Sequence, residues 1–240
     1  MIRTTGDSEL DYFELRDIQA ETYATADLPF WLLQQISMKQ RDSAILDFGC
    51  GFGQNVRAIK QHGFANVCGA DVSPQALKHC RESGIEVFDV SAGFDELETS
   101  GRRFDFIVTT HVLEHIPKDQ VIGVLTKLRH LLSAGGALLV AVPNAQAYTG
   151  CYWAYEDFTH HTLYTYGSLL YILRAAGFSN TELLDRHAVA GSKFPRRTVR
   201  LAFAALYRLN YGFWKKTLGS PTHISSVDVF TYELKMKARA

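Results

Sequence analysis

Long apolar runs are missing from this chain. The two longest uninterrupted stretches, Ala137–Val142 and Leu201–Tyr207, fall well short of the roughly 18–20 residues that a membrane-spanning helix needs. Net charge is missing too, since 25 Lys and Arg face 25 Asp and Glu. That balance excludes a strongly basic nucleic-acid binder and an acidic disordered tail as descriptions of the whole chain. Cysteine is sparse: Cys50, Cys68, Cys80 and Cys151 form no Cys-x-x-Cys pair, so neither a zinc knuckle nor a disulfide framework is indicated and the thiols read as reduced. The first residues lack the apolar core of a secretory signal, which leads to the expectation of a cytoplasmic protein. No internal repeat or low-complexity segment occurs. What remains, 47% hydrophobic and 21% charged over 240 residues, is the composition of a folded globular protein with a sizeable core.

Residues 8–40 carry two helical runs, the second opening at Pro29-Phe30-Trp31 and ending near Lys39. From Ala44 the texture changes to short apolar runs separated by helix-sized segments, the signature of βαβ units and a parallel sheet. Strands are expected at Ala44–Phe48, Val67–Ala70, Val87–Asp89, Phe104–Thr109, Ala137–Val142, Thr181–Arg186 and Val229–Ala238. Helices are expected at Gln54–Gln61, Pro74–Glu82, Pro117–Leu132 and Tyr166–Ala176. In the third of these Val121, Val124, Leu125, Leu128, Leu131 and Leu132 keep helical spacing, Pro117 occupies a first-turn position, and Gly135-Gly136 follows the end. Residues 191–222 interrupt the last two strands with a helical pattern of their own, which reads as a lid or binding element.

The first strand runs into Asp47-Phe48-Gly49-Cys50-Gly51-Phe52-Gly53-Gln54. Such a turn lets backbone approach a ligand at the carboxyl edge of an open α/β sheet. The next strand ends at Asp71, suited to a ribose diol. A nicotinamide fingerprint would need glycine at position 54, which is Gln54, and no Gly-Lys-Ser/Thr follows for a Walker loop.

Asp47-x-Gly49-x-Gly51-x-Gly53, Gly69-Ala70-Asp71-Val72-Ser73, Phe88-Asp89-Val90 and Phe104-Asp105-Phe106-Ile107-Val108 leading to His111-Val112-Leu113-Glu114-His115 occur in order over residues 44–187. Together they resemble the class I S-adenosylmethionine-dependent methyltransferases. The resemblance implies a Rossmann-like α/β fold: a seven-stranded, mostly parallel sheet with the last strand antiparallel and helices on both faces. Around it stand an N-terminal helical cap (1–43), the cofactor-binding core (44–190), a lid insertion (191–222) and the final strand (223–240). It also implies that S-adenosylmethionine is the cofactor. Gly49, Gly51 and Gly53 would pass its methionine moiety and Asp47 would hold the ammonium. Asp71 would take the ribose hydroxyls, Asp89 the adenine amino group, and Val72 and Val90 would flank the ring. His111 would stand in the loop beside the transferring methyl.

His111-x-x-Glu114-His115 also matches the inverted zinc-peptidase pattern, which requires both histidines on one helix face. Here the segment lies between a strand and a helix, so a zinc-dependent hydrolase is the rival enzyme and a non-catalytic cofactor-binding protein the rival of another class. A subset of the resembled family carries Glu-x-x-Glu-His at this place with a distant histidine for a divalent metal, and His111 stands where that subset has glutamate. By the spacing to Thr165, His160 matches the distant histidine and His161 is extra. His115 and His160 are the candidate catalytic residues, as general base or hydroxyl orienter. The other reading is that they fix loop geometry.

Aromatics crowd 144–165, namely Tyr148, Tyr152, Trp153, Tyr155, Phe158 and Tyr164, and suit stacking on sugars or rings. Pro195–Lys216 is basic without an acid, which suits an anionic membrane, a phosphate-bearing substrate or a solvated helix. The expectation is therefore methyl transfer to an oxygen of a small-molecule, glycan or lipid-linked acceptor, with no bulk nucleic-acid partner and peripheral membrane contact through 195–216 as an option.

Overall fold

The computed structural model describes residues 12–23, 27–219 and 227–240. Seven strands form one sheet: β1 (Ile45–Phe48), β2 (Val67–Asp71), β3 (Val87–Asp89), β4 (Phe104–Thr110), β5 (Leu132–Pro143), β6 (Asn180–Leu184) and β7 (Glu233–Arg239). Their order is β3-β2-β1-β4-β5-β7-β6. β1 to β5 pair in parallel, and β7 runs antiparallel to both β5 and β6. The expected mostly parallel sheet with an antiparallel last strand is thus present. Strand order reverses between β1 and β4, the place where an open α/β sheet parts its crossovers and leaves a crevice.

Side-chain alternation splits the core in two. Leu46, Phe48, Leu138, Val140 and Val142 point to one face, covered by α5 (Asp95–Thr99), α6 (Val121–Leu131) and α8 (Tyr166–Ala175). Ile45, Ala137, Leu139 and Ala141 point to the other, covered by α2 (Phe30–Ile36), α3 (Gln54–Gln61) and α4 (Pro74–Glu82). The N-terminal region holds a four-residue helix α1 (Tyr12–Leu15), a 3-10 turn at Ala20–Tyr23 and α2, rather than two full helical runs. The first run begins at residue 8, outside the described residues. α7 (Gly150–Glu156) and α9 (Arg196–Leu218) complete the fold.

Three boundaries differ from expectation for local reasons. α6 begins at Val121 because Pro117 opens a turn, its carbonyl accepting from the Gln120 and Val121 amides. Gly135-Gly136 follows the end of α6 from within a strand rather than a turn: the chain enters β5 at Leu132, and the glycines sit in a register shift that brings Ala137 opposite Phe106. A Cβ on Gly136 would meet the Phe104 carbonyl at 2.8 Å. β7 begins at Glu233 because the preceding residues serve other partners. The Asn144 amide donates to the carbonyls of Val229 and Thr231, and Gln146 Oε1 accepts from the Val229 amide.

Gly69 in β2 sits directly beneath the glycine turn after β1. A Cβ there would meet Cys50 Sγ at 2.5 Å and Cys50 Cβ at 2.9 Å. Gly69→Ala is expected to cost about 1–3 kcal/mol in urea denaturation through overpacking, and to weaken whatever ligand the turn holds. Unchanged stability would show that the turn is not pressed on β2.

Candidate functional site

A cleft of about 1090 Å³ opens at the carboxyl ends of β1, β2 and β4. Its floor is the turn Gly49–Gly53, where all three glycines have positive φ. Gly49 is also held close to β4's exit, since a Cβ would fall 2.2 Å from Val112 Cγ2. Asp71 ties the turn to β2: Oδ2 accepts from the Gly51 amide at 2.8 Å, and Oδ1 from the Val72 and Ser73 amides at 2.8 and 2.9 Å. Ser73 then caps α4 through the Ala76 amide.

Asp47 lies below the turn with no exposure, and neither carboxylate oxygen has a hydrogen-bond partner among the described residues. Burial pushes its pKa up to about 7, with the Asn55 side chain opposing and the charge of Asp71 adding. A buried carboxylate with open acceptor sites is costly in isolation and fits a cationic ligand group.

At the other end of the cleft β4 exits through His111 into a 3-10 turn at Leu113–His115. The His161 amide donates to the Glu114 carbonyl, and the Tyr164 hydroxyl to the Leu113 carbonyl, at 2.8 and 3.0 Å. These bonds clamp residues 157–164 onto the turn and bring His160 beside His115, ring centroids 4.7 Å apart. Both tautomers follow from their partners. Thr159 Oγ1 donates to Asp157 Oδ1, so at 2.7 Å it accepts from His115 Nδ1. His160 Nδ1 donates to the Trp153 carbonyl at 2.7 Å. Each neutral ring therefore keeps its lone pair on Nε2. Burial holds His115 below its ordinary pKa, opposed by Glu114 and Asp157 and aided by His160 and His111.

Glu114 is fully buried beside them; its Oε1 faces His111, and its Oε2 has no hydrogen-bond partner among the described residues. Glu114, His115 and His160 each bring one ligand atom within 4.8 Å of the others. One carboxylate and two imidazoles with the far ring nitrogen anchored is a donor set that fits a divalent metal ion. His111 turns elsewhere. Its Nδ1 lies 3.3 Å from Glu114 Oε1 and its Nε2 2.7 Å from Glu233 Oε1 at the start of β7. Burial lowers its pKa, but the bonds to Glu114 and Glu233 outweigh this and raise it to about 10, leaving an imidazolium between two carboxylates. With His111 at φ +55 and only a 3-10 turn following, the shared helix face of a zinc peptidase is absent.

The N-terminal segment closes over this end. Asp157 Oδ2 accepts from Tyr12 Oη at 2.7 Å and pairs with Arg16. Burial would raise the Asp157 pKa, but hydrogen bonds from Thr159 and Tyr12 hold it down at about 2. Phe13 packs on Phe52, ring centroids 4.6 Å apart, above the glycine turn. Trp153 and Tyr232, 4.7 Å apart, and Phe158 give the cleft an aromatic rim.

Of the residues singled out from the sequence, Gly49, Gly51, Asp71, Val72, Val90, His111, His115 and His160 line the cleft. Asp47 lies beneath it. Gly53 caps α3 and faces α4 and the segment after it instead, where a Cβ would meet Cys80 Sγ at 3.1 Å and Ile85 Cδ1 at 2.6 Å. Asp89 accepts from the Ser91 amide beyond the lining residues. The expected lid, 191–222, contributes no described residue to the cleft; α9 borders a separate groove of about 670 Å³. Sequence reading gave no role to Glu114, although it stands between two singled-out histidines. It also missed Tyr12, Arg16, Asp157 and Glu233, whose partners lie up to 145 residues away, with no spacing to reveal them.

A methyltransferase-domain family profile matches residues 19–183. The chain is 31% identical over 119 residues to the ubiquinone biosynthesis O-methyltransferase of Cereibacter sphaeroides, covering 45% of this chain and 47% of that protein. It is 32% identical over 104 residues to the Agrobacterium fabrum protein of the same name, covering 42% and 40%. The match thus spans about half the length of these curated relatives. Among solved structures, a SAM-dependent methyltransferase from Archaeoglobus fulgidus superposes with a TM-score of 0.63 at 18% identity, covering 95% of this chain and 98% of that one. An S-adenosylmethionine-dependent methyltransferase from Mesorhizobium loti gives 0.54 at 19% identity, covering 88% and 98%. A profile running through well over half of the chain, on a fold shared with these enzymes, makes it a member of the methyltransferase-domain family.

Proposed function

We propose that the protein methylates a hydroxyl oxygen of a small-molecule acceptor bearing a flat ring. The observation that carries this reading is the pair of imidazoles, His115 and His160, each anchored through Nδ1 and grouped at the cleft with buried Glu114. When bound, S-adenosylmethionine supplies an electrophilic methyl group on a sulfonium. Asp47 receives its ammonium, the turn at Gly49 and Gly51 lies along its methionine moiety, and Asp71 and Val90 take the nucleoside. His115 or His160 accepts the acceptor hydroxyl proton at Nε2 as the oxygen attacks, and the aromatic rim of Trp153, Phe158 and Tyr232 holds the ring. Alternatively, Glu114, His115 and His160 would hold a divalent ion through those same Nε2 atoms, and the ion would then polarise that hydroxyl as a Lewis acid in place of proton transfer to a histidine. Oxygen as the accepting atom is supported by the printed names of the relatives, O-methyltransferases of ubiquinone biosynthesis. A non-catalytic binding protein has no need of two imidazoles held in one tautomer.

Three outcomes are expected. His160→Ala lowers methyl transfer into phenolic acceptors roughly 10²–10⁴-fold and leaves the Kd for S-adenosylhomocysteine within about a factor of two of wild type; unchanged turnover, or label entering only amines, sinks the assignment. Because Asp47 must ionise to meet a cation and its pKa is raised to about 7, cofactor affinity rises with pH from 6 toward 7, by at most about tenfold per pH unit, and levels off above. Asp47→Asn binds about 10–100-fold more weakly with a flat profile, read by calorimetry; a flat wild-type profile contradicts the role. Mn²⁺ titration followed by electron paramagnetic resonance is expected to show one site, lost in Glu114→Ala; equal binding by the variant rejects the metal set.

A further inference from the structure

Two of the cysteines meet beneath the glycine turn. Cys50 belongs to the turn itself and Cys80 to α4, and both are buried. Their sulfurs converge on one acceptor: the Gly51 carbonyl oxygen lies 3.6 Å from Cys50 Sγ and 3.4 Å from Cys80 Sγ. Two glycines make room for them. Cys50 Sγ is 2.5 Å from where a Cβ on Gly69 would stand, and Cys80 Sγ is 3.1 Å from where one on Gly53 would. Gly51 lines the cleft, so a single peptide unit of the turn links the thiols to it.

Neither thiol has a part in ligand binding or methyl transfer, and packing alone would be served by any small apolar side chain. What sulfur adds is redox chemistry, and the surroundings make the pair unequal. The hydrogen bond between the two thiols holds Cys80 below the ordinary thiol pKa, against burial, while the same bond and burial push Cys50 up. Cys80 is therefore the partner that forms a thiolate, and Cys50 is the neighbour placed to resolve its oxidation product.

We propose that Cys50 and Cys80 are an oxidation site, converted by a hydroperoxide into a reversible disulfide that disables the glycine turn. The Cys80 sulfur attacks one peroxide oxygen and breaks the O–O bond, giving a sulfenic acid, while the other oxygen leaves as water with the thiol proton. The Cys50 sulfur then attacks that of Cys80. An S–S bond forms, the S–O bond breaks, and the hydroxyl leaves as water with the Cys50 proton. The two thiols together lose two electrons, and one hydrogen peroxide becomes two waters. The Gly51 carbonyl thereby loses its thiol donors. Covalent bonding also brings the sulfurs nearer than any non-bonded contact, which draws Cys50 toward α4 and moves the turn. The loss of binding rests on the reading of this turn as the S-adenosylmethionine site; the disulfide itself does not.

The test treats the full chain with hydrogen peroxide, alkylates the remaining thiols and maps the peptides by mass spectrometry. Expected are a peptide pair joined through Cys50 and Cys80 and a Kd for S-adenosylhomocysteine weakened about tenfold or more by calorimetry, both reversed by dithiothreitol. Cys80→Ser is expected to give no linked pair and to keep its affinity through the treatment. Cys151→Ser, which removes an exposed thiol, should behave as wild type. A map in which Cys50 and Cys80 stay unlinked overturns the proposal, as does a linked wild type that binds as before. So does a Cys80→Ser chain that loses affinity with peroxide as wild type does. Reduced wild type that does not bind S-adenosylhomocysteine overturns the cofactor reading instead, and the peptide map then decides the oxidation site alone.

Discussion

Asp157 is the carboxylate on which the geometry of the histidine end of the cleft depends. One oxygen takes the Thr159 hydroxyl and amide, which leaves that hydroxyl free only to accept from His115 Nδ1. The other takes Tyr12 and Arg16, fixing the N-terminal segment across the cleft. A single ionised group thereby sets the protonated edge of an imidazole, the course of the 157–164 loop and the closure of the cleft. Hydrogen bonding holds its pKa at about 2, so this arrangement persists at any pH above the ordinary carboxylate range. Without it, His115 could rotate or exchange tautomer, and its pairing with His160 would lose meaning.

The opposite end of the cleft relies on crowding rather than charge. Gly49 and Gly69 have no room for a Cβ, because Val112 and Cys50 occupy the space. The turn is thus pressed between β2 and the exit of β4, and Asp71 finishes the job by accepting three backbone amides. Asp47 is the exception, a buried carboxylate whose oxygens find no hydrogen-bond partner among the described residues. The ammonium of the proposed cofactor would offset that cost. Two carboxylates on neighbouring strands therefore behave differently: Asp71 accepts three backbone amides and shapes the turn, and Asp47 accepts none among the described residues.

α9 is held by neither rule. Its residues Arg196–Leu218 are rich in Ala, Leu and Arg, good helix formers, and 23 residues exceed the length at which an isolated helix becomes marginal. Its contacts with the body are a few aromatic pairs and the bonds of Arg200 to the Ala188 carbonyl and the Ser192 hydroxyl. The neutral net charge of the whole chain conceals this local excess of cations, which is balanced by acids elsewhere.

Much of this protein is written in local pattern. Strand and helix positions from Ile45 to Leu184 follow from periodicity and turn residues, because each element's apolar face and its stop signals are fixed within about ten residues of itself. The glycine turn and the acids Asp47 and Asp71 are legible for the same reason. The short α5, α7 and the 3-10 turn at Leu113–His115 carry too few residues for any period. What only the tertiary structure decided is partnership: that His115 meets His160 while His111 turns away to Glu233, 122 residues on, that Gly53 packs on α4 instead of facing the cleft, and that Tyr12 reaches Asp157. Sequence spacing encodes neighbours along one helix or strand, whereas these contacts are made by the sheet, which returns distant segments to the same edge.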